Sequence, residues 1–161
     1  MRIIYLLIPS VALAIEQWIG KPVDLMKLLK FDIIPASKVG CWLPANASVL
    51  PIDWNDVTEA SNKFKEWGQH YRIGGGQVKG FDVGDAAIWI CNCKHMYYDP
   101  VVAAELDEAQ RKLQQVCDDA YGGWIWSHKW QKSINIGPKW VLRRWSPFGI
   151  RCPNFCLWSL G

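Results

Sequence analysis

The chain has 161 residues, 50% hydrophobic and 20% charged, with 11 Trp and a formal net charge of +3. That balance excludes a disordered or low-complexity chain and supplies material for one core, so a single domain is expected. The small net charge hides a polarity along the chain. Every Asp and Glu precedes residue 120, whereas Lys129, Lys132, Lys139, Arg143, Arg144 and Arg151 come after it, which predicts a polarised field.

The first residues, MRIIYLLIPSVALA, place Arg2 before an apolar run from Ile3 and end in Ala12 and Ala14, the small-residue spacing that a signal peptidase reads. The run is too short to span a bilayer. A signal peptide over 1–14, cleaved after Ala14, is therefore expected, leaving 15–161 as one secreted, soluble domain. Segment 15–38 clusters Leu25, Met26, Leu28 and Leu29 between Pro22 and Pro35; it reads as irregular structure or as a removed pro-segment. Lys38–Leu43, around Cys41, suits a first strand closed by Pro44. Asn46-Ala47-Ser48 forms an N-glycosylation acceptor in a Pro-flanked context.

A helix is expected from Asp53, whose side chain can cap it, with Asp56 and Glu59 placing negative charge in the first turns. Val57, Ala60, Phe64 and Trp67 form its apolar stripe, and Gly68 is expected to end it. Residues 69–84 contain IGGGQVKGFDVG, in which Val78, Phe81 and Val83 suggest a strand interrupted by Gly. The Gly74–Gly76 run lacks the Lys-Ser/Thr of a phosphate-binding loop, which favours a flexible loop.

Residues Asp85 to Trp126 organise the rest. Ala86–Cys93 is an unbroken apolar run, the pattern of a central strand buried on both faces. Asp99-Pro100 reads as an N-cap and first helical residue. From there Val102, Leu106, Ala109, Leu113 and Val116 form an apolar face, while Glu105, Glu108, Arg111, Lys112 and Gln115 lie opposite. Gly122 and Gly123 end this segment, and Trp124, Ile125 and Trp126 return as a strand. The element order predicts an α+β fold: a four-stranded antiparallel sheet with two helices on one face, in the split βαβ plan, stabilised by disulfides.

Cys41, Cys91, Cys93, Cys117, Cys152 and Cys156 read as a disulfide framework in an exported chain. Cys91 and Cys93 share a strand face at a spacing unsuited to bridging each other. Cys117, closing the helix that folds back over this strand, is the expected partner of one of them, and Cys152 and Cys156 are candidates for pinning the tail. Zinc on Cys91, Cys93 and His95 would need a sharp bend in the strand, so no metal is expected, and no cofactor. His70, His95 and His128, with Glu59, Glu66 or Glu105, are the only candidates for acid-base catalysis, and none sits in a catalytic motif. The chain is read as not an enzyme. Lys139, Trp140, Arg143, Arg144 and Trp145 are hard to bury together and form a candidate binding patch.

The runs AIWICNC, DP followed by AAELDEAQRKL and a Cys, GGWIWSHKWQKSINIG, and the earlier TEASNKFKEWGQHY resemble the small cysteine-rich secreted effectors of plant-pathogenic fungi. Among these the chain is most similar to the Leptosphaeria avirulence and suppressing (LARS) effectors, over about Asp53 to Gly137. The resemblance implies a non-enzymatic protein in the plant apoplast, or translocated into host cells, that binds host plant proteins. Through them it would modulate immunity and be recognised by, or mask recognition by, host resistance proteins. It transfers no catalytic residues, and Cys152 and Cys156 have no counterpart in it. Nucleic acid and membrane are not expected as partners, and a monomer is expected. The rival classes are a secreted ribonuclease-like hydrolase and a cationic, Trp-rich antimicrobial or killer-type toxin.

Overall fold

The computed structural model describes residues 33–35, 37–42, 51–117 and 121–145, with the backbone alone for Arg144 and Trp145. The leader, residues 15–32, Asn46, Cys152 and Cys156 lie outside the described residues. In chain order the elements are β1 (Ser37–Cys41), α1 (Trp54–His70), β2 (Arg72–Ile73), β3 (Val78–Val83), β4 (Ala86–Asn92), β5 (Asp99–Pro100), α2 (Ala103–Val116), β6 (Gly123–Ser127), β7 (Lys132–Pro138) and α3 (Lys139–Trp145).

Asp53 caps α1 from extended backbone, its Oδ1 accepting the Asn55 N–H at 2.8 Å. Val57, Ala60 and Phe64 are buried, with Trp67 packed against them; a Phe removed from such a site typically costs about 3–5 kcal/mol. The helix passes through Gly68 and ends at His70. Gly68 serves packing: a Cβ there would lie 2.7 Å from Val101 Cβ.

Helix α2 departs from expectation in two ways. It starts at Ala103, with Val102 as an N-cap that makes no side-chain bond, and Asp99 is buried in β5. Its buried face is Glu105, Leu106, Glu108, Ala109 and Leu113, while Val102 and Val116 are exposed. The sheet covers the arc centred on Leu106, Ala109 and Leu113. The two glutamates flank that arc and are buried because cations meet them there.

Five strands, one more than expected, form an antiparallel sheet in the order β1-β6-β7-β4-β3, and β2 pairs with β5 in a small second sheet. The expected strand-helix-strand unit is present as β4-α2-β6, with β7 inserted between its strands. β7, rather than β4, is therefore central. The sequence reading missed β7 because Lys132, Ser133 and Asn135 look polar, yet all seven of its residues are buried.

The sheet has two covered faces. Ile88, Ile90, Ile125, Ile134 and Ile136 pack with α1 and α2 in the main core. On the other face, Ala87 and Trp89 pack with Val141 of α3, and Trp42 stacks on Trp89 with centroids 6.2 Å apart. Cys91, Cys93 and Trp126 cluster on that second face.

These faces decide the sulfur chemistry. Cys117, ending α2, bonds Cys41 on the outer strand β1, Cα to Cα 5.3 Å, within the span of a relaxed bridge. It does not bond Cys91 or Cys93, because their side chains leave β4 on the face away from α2. Both of those cysteines are also disulfide-bonded. Among the described residues no cysteine is free.

The Cys41–Cys117 bridge closes a separation of 76 residues, for which chain entropy gives about 4.5 kcal/mol of stabilisation. Replacing both cysteines by Ser should lower the unfolding free energy by about that amount in equilibrium urea denaturation. An unchanged midpoint and slope would show that the bridge does not hold the edge strand.

Candidate loop platform and basic helix

Asn92, the last residue of β4 and fully buried, joins two loops at one end of the sheet. Its Nδ2 donates to Ile73 O at 3.0 Å and Tyr97 O at 2.7 Å, and its Oδ1 accepts from Lys94 N at 3.1 Å. Its backbone meets the glycine turn through Gly76 N donating to Asn92 O and Asn92 N donating to Gln77 O. Gly75 allows the two loops to touch, since a Cβ there would lie 2.7 Å from Lys94 O. The glycine run, expected to be a flexible loop, is a tight turn packed against its neighbour. The β6–β7 turn joins the same end, with Cys93 N donating to Gln131 O at 2.9 Å.

Beneath these loops lies a buried set of charges. Lys132 Nζ, its side chain 3% exposed, meets Glu105 Oε2 at 2.7 Å and Asp99 Oδ2 at 2.9 Å, and donates to Pro100 O at 3.2 Å. Lys94 Nζ binds the other Asp99 oxygen at 2.6 Å. Asp99 therefore neutralises two lysines instead of capping α2. Burial raises the Glu105 pKa above the ordinary carboxylate value, outweighing the opposing pull of Lys132. Glu108, also buried, binds Lys112 at 2.7 Å and accepts the Ile33 N–H at 2.7 Å, docking the segment that carries buried Ile34.

Large apolar side chains project outward from this end: Met96 is 80% exposed, Tyr97 73%, Tyr98 71% and Tyr71 58%. Tyr71 stacks on Trp67 with centroids 5.3 Å apart. His70, Arg72, His95, His128 and Lys129 are exposed on the same three segments. The sequence reading passed over the MYY run, although three large residues without helical or strand periodicity, directly before Asp-Pro, signal an outward loop.

The patch expected from sequence falls on α3. Trp140 is 48% exposed, and Arg143 is exposed with a long 3.9 Å contact to Asp82. Lys139 is partly drawn away from solvent, pairing Asp82 at 3.2 Å and donating to Gly84 O at 3.0 Å. The side chains of Arg144 and Trp145 lie outside the described residues. His70 is the last residue of α1, whereas His95 lies in the loop between β4 and β5 and His128 in the β6–β7 turn. Cys91 and Cys93, being disulfide-bonded, offer no thiolate to a metal, and no group of three metal-ligating side chains occurs among the described residues. Nor, among the described residues, is any helix long and apolar enough to cross a membrane.

The buried charges give two predictions. Lys132→Met leaves buried Glu105 without its cation and Asp99 with Lys94 alone, and should cost about 3–5 kcal/mol, read by urea denaturation; parental stability would show that the Lys132 pairs contribute nothing. Glu105 is held above its ordinary pKa, so its folded form binds protons more tightly than its unfolded form. Its contribution to stability is present below the unfolded value, about 4.3, and is lost as pH rises through the raised one. Glu105→Gln should remove that fall from the plot of melting temperature against pH, and a variant profile parallel to the parent's would contradict the assignment. Comparison with family models, with curated proteins and with solved structures finds no match.

Proposed function

We propose that this chain is a secreted effector of a plant-pathogenic fungus, similar to the LARS effectors, that acts without catalysis by binding a host plant protein. The observation that carries the reading is sulfur: Cys41, Cys91, Cys93 and Cys117 are all disulfide-bonded, a state that persists in oxidising, extracellular surroundings. A body braced in this way suits the apoplast. The half-exposed Trp140 beside Arg143 supplies an aromatic and cationic contact of the kind that dominates protein interfaces.

A secreted ribonuclease-like hydrolase is the second reading, favoured by the exposure of His70 at the end of α1 and of His95 and His128 in the neighbouring loops. Transient expression in host leaves, with and without residues 1–14, separates these readings. The effector reading expects a leaf response that Trp140→Ala with Arg143→Glu weakens and that joint replacement of the three histidines by Ala leaves intact. Loss of the response in the histidine variant, together with RNA cleavage by the parent, would favour the hydrolase. A response that needs the leader points to the apoplast, and one without it to the host cytosol.

A further inference from the structure

We propose that the loop-bearing end of the sheet, built from segments 67–77, 92–102 and 126–132, binds an acidic polysaccharide through its tyrosines and the cations around them. The surface is built from residues other than those of α3, and the inference rests on the proposed extracellular setting.

Charge is the first argument. The three segments contain Arg72, Lys94, Lys129 and Lys132, and their single acidic residue is Asp99. Asp99 is 4% exposed and held by Lys94 and Lys132, so no carboxylate of these segments faces outward to repel an anion. Arg72 pairs in register with Pro100 on the small sheet, two residues along the strand from Tyr98, and both Arg72 and Pro100 are exposed. Among the described residues Arg72 makes no ion pair. Its guanidinium is a planar fork that matches a carboxylate.

Shape is the second argument. A pyranose ring presents C–H groups that pack flat on an aromatic face through dispersion and the ring quadrupole. Tyr97 and Tyr98 keep most of their surface in water, and among the described residues neither ring stacks on another. They do not hang from a loose loop. Asn92 grips the Tyr97 carbonyl, Asp99 is tied down by two lysines, and Gly75 packs beneath Lys94–Met96, so little ordering would be lost on binding. Exposed rings on segments that also carry exposed cations, Arg72 and Lys129 making no ion pair among the described residues, suit a polymer whose every residue offers both a sugar face and a carboxylate.

The test is affinity electrophoresis of the purified full chain in gels containing polygalacturonate. Retardation should be strong in this gel and absent with fully methyl-esterified polygalacturonate, which keeps the rings and loses the charge. Added salt should reduce it. Tyr97→Ala with Tyr98→Ala, and separately Arg72→Ala with Lys129→Ala, should each weaken retention about tenfold, while Trp140→Ala leaves it unchanged. The inference is overturned if the parent is not retarded, or if poly-glutamate or the esterified polymer retards it equally. It is also overturned if single-stranded poly(U) retards it more, or if both double variants behave as the parent. Should the tyrosine variant fail to fold, the Arg72 and Lys129 variant, altered only at exposed side chains, decides. A negative result leaves the leaf response and its dependence on Trp140 standing, so the two readings fail separately.

Discussion

The ammonium of Lys132 has to be neutralised where water does not reach. It sits at the start of β7, on the face covered by the helices, and two carboxylates from elsewhere in the chain meet it: Asp99 of β5 and Glu105 of α2. An unpaired buried charge is among the most costly features a core can contain, so β7, β5 and the first turns of α2 are obliged to meet. Lys94 completes the set from the loop between β4 and β5. Both small strands and the loop between β4 and β5 take their places around this one requirement.

A second constraint is the division of the sheet into two faces. Alternate residues of β4 point to opposite sides, so Ile88 and Ile90 join the helices while Trp89 and Cys91 join Trp126, Trp42 and α3. The same alternation sorts the cysteines. Cys117 is on the helix side and reaches Cys41 at the sheet edge, leaving Cys91 and Cys93 to be bonded on the far side. Disulfide sulfur is thus found on both faces of the sheet.

A buried, neutralised interior contrasts with an outward-facing rim. The loops gathered by Asn92 and the charge network hold Tyr97 and Tyr98 in water, and the acid closest to them, Asp99, is turned inward. On the second face α3 exposes Trp140 while Val141 anchors it.

Local physics in the sequence was sufficient for the elements with a local signature. Asp53 capped α1, the stripe Val57, Ala60 and Phe64 was buried, the breaker-free run at Ala86 was a strand buried on both faces, and Trp124–Trp126 was the returning strand. Tertiary structure decided whatever depended on a distant partner. Asp99 carries a good capping side chain, but two lysines hold it in β5; Glu105 and Glu108 look like solvent residues until Lys132 and Lys112 are placed beside them. β7 looked polar because its burial depends on neighbours on both sides, and the pairing of Cys117 depended on which face each strand residue occupies. Propensity and periodicity act over a few residues, whereas charge neutralisation and sheet face are settled only when the chain closes on itself.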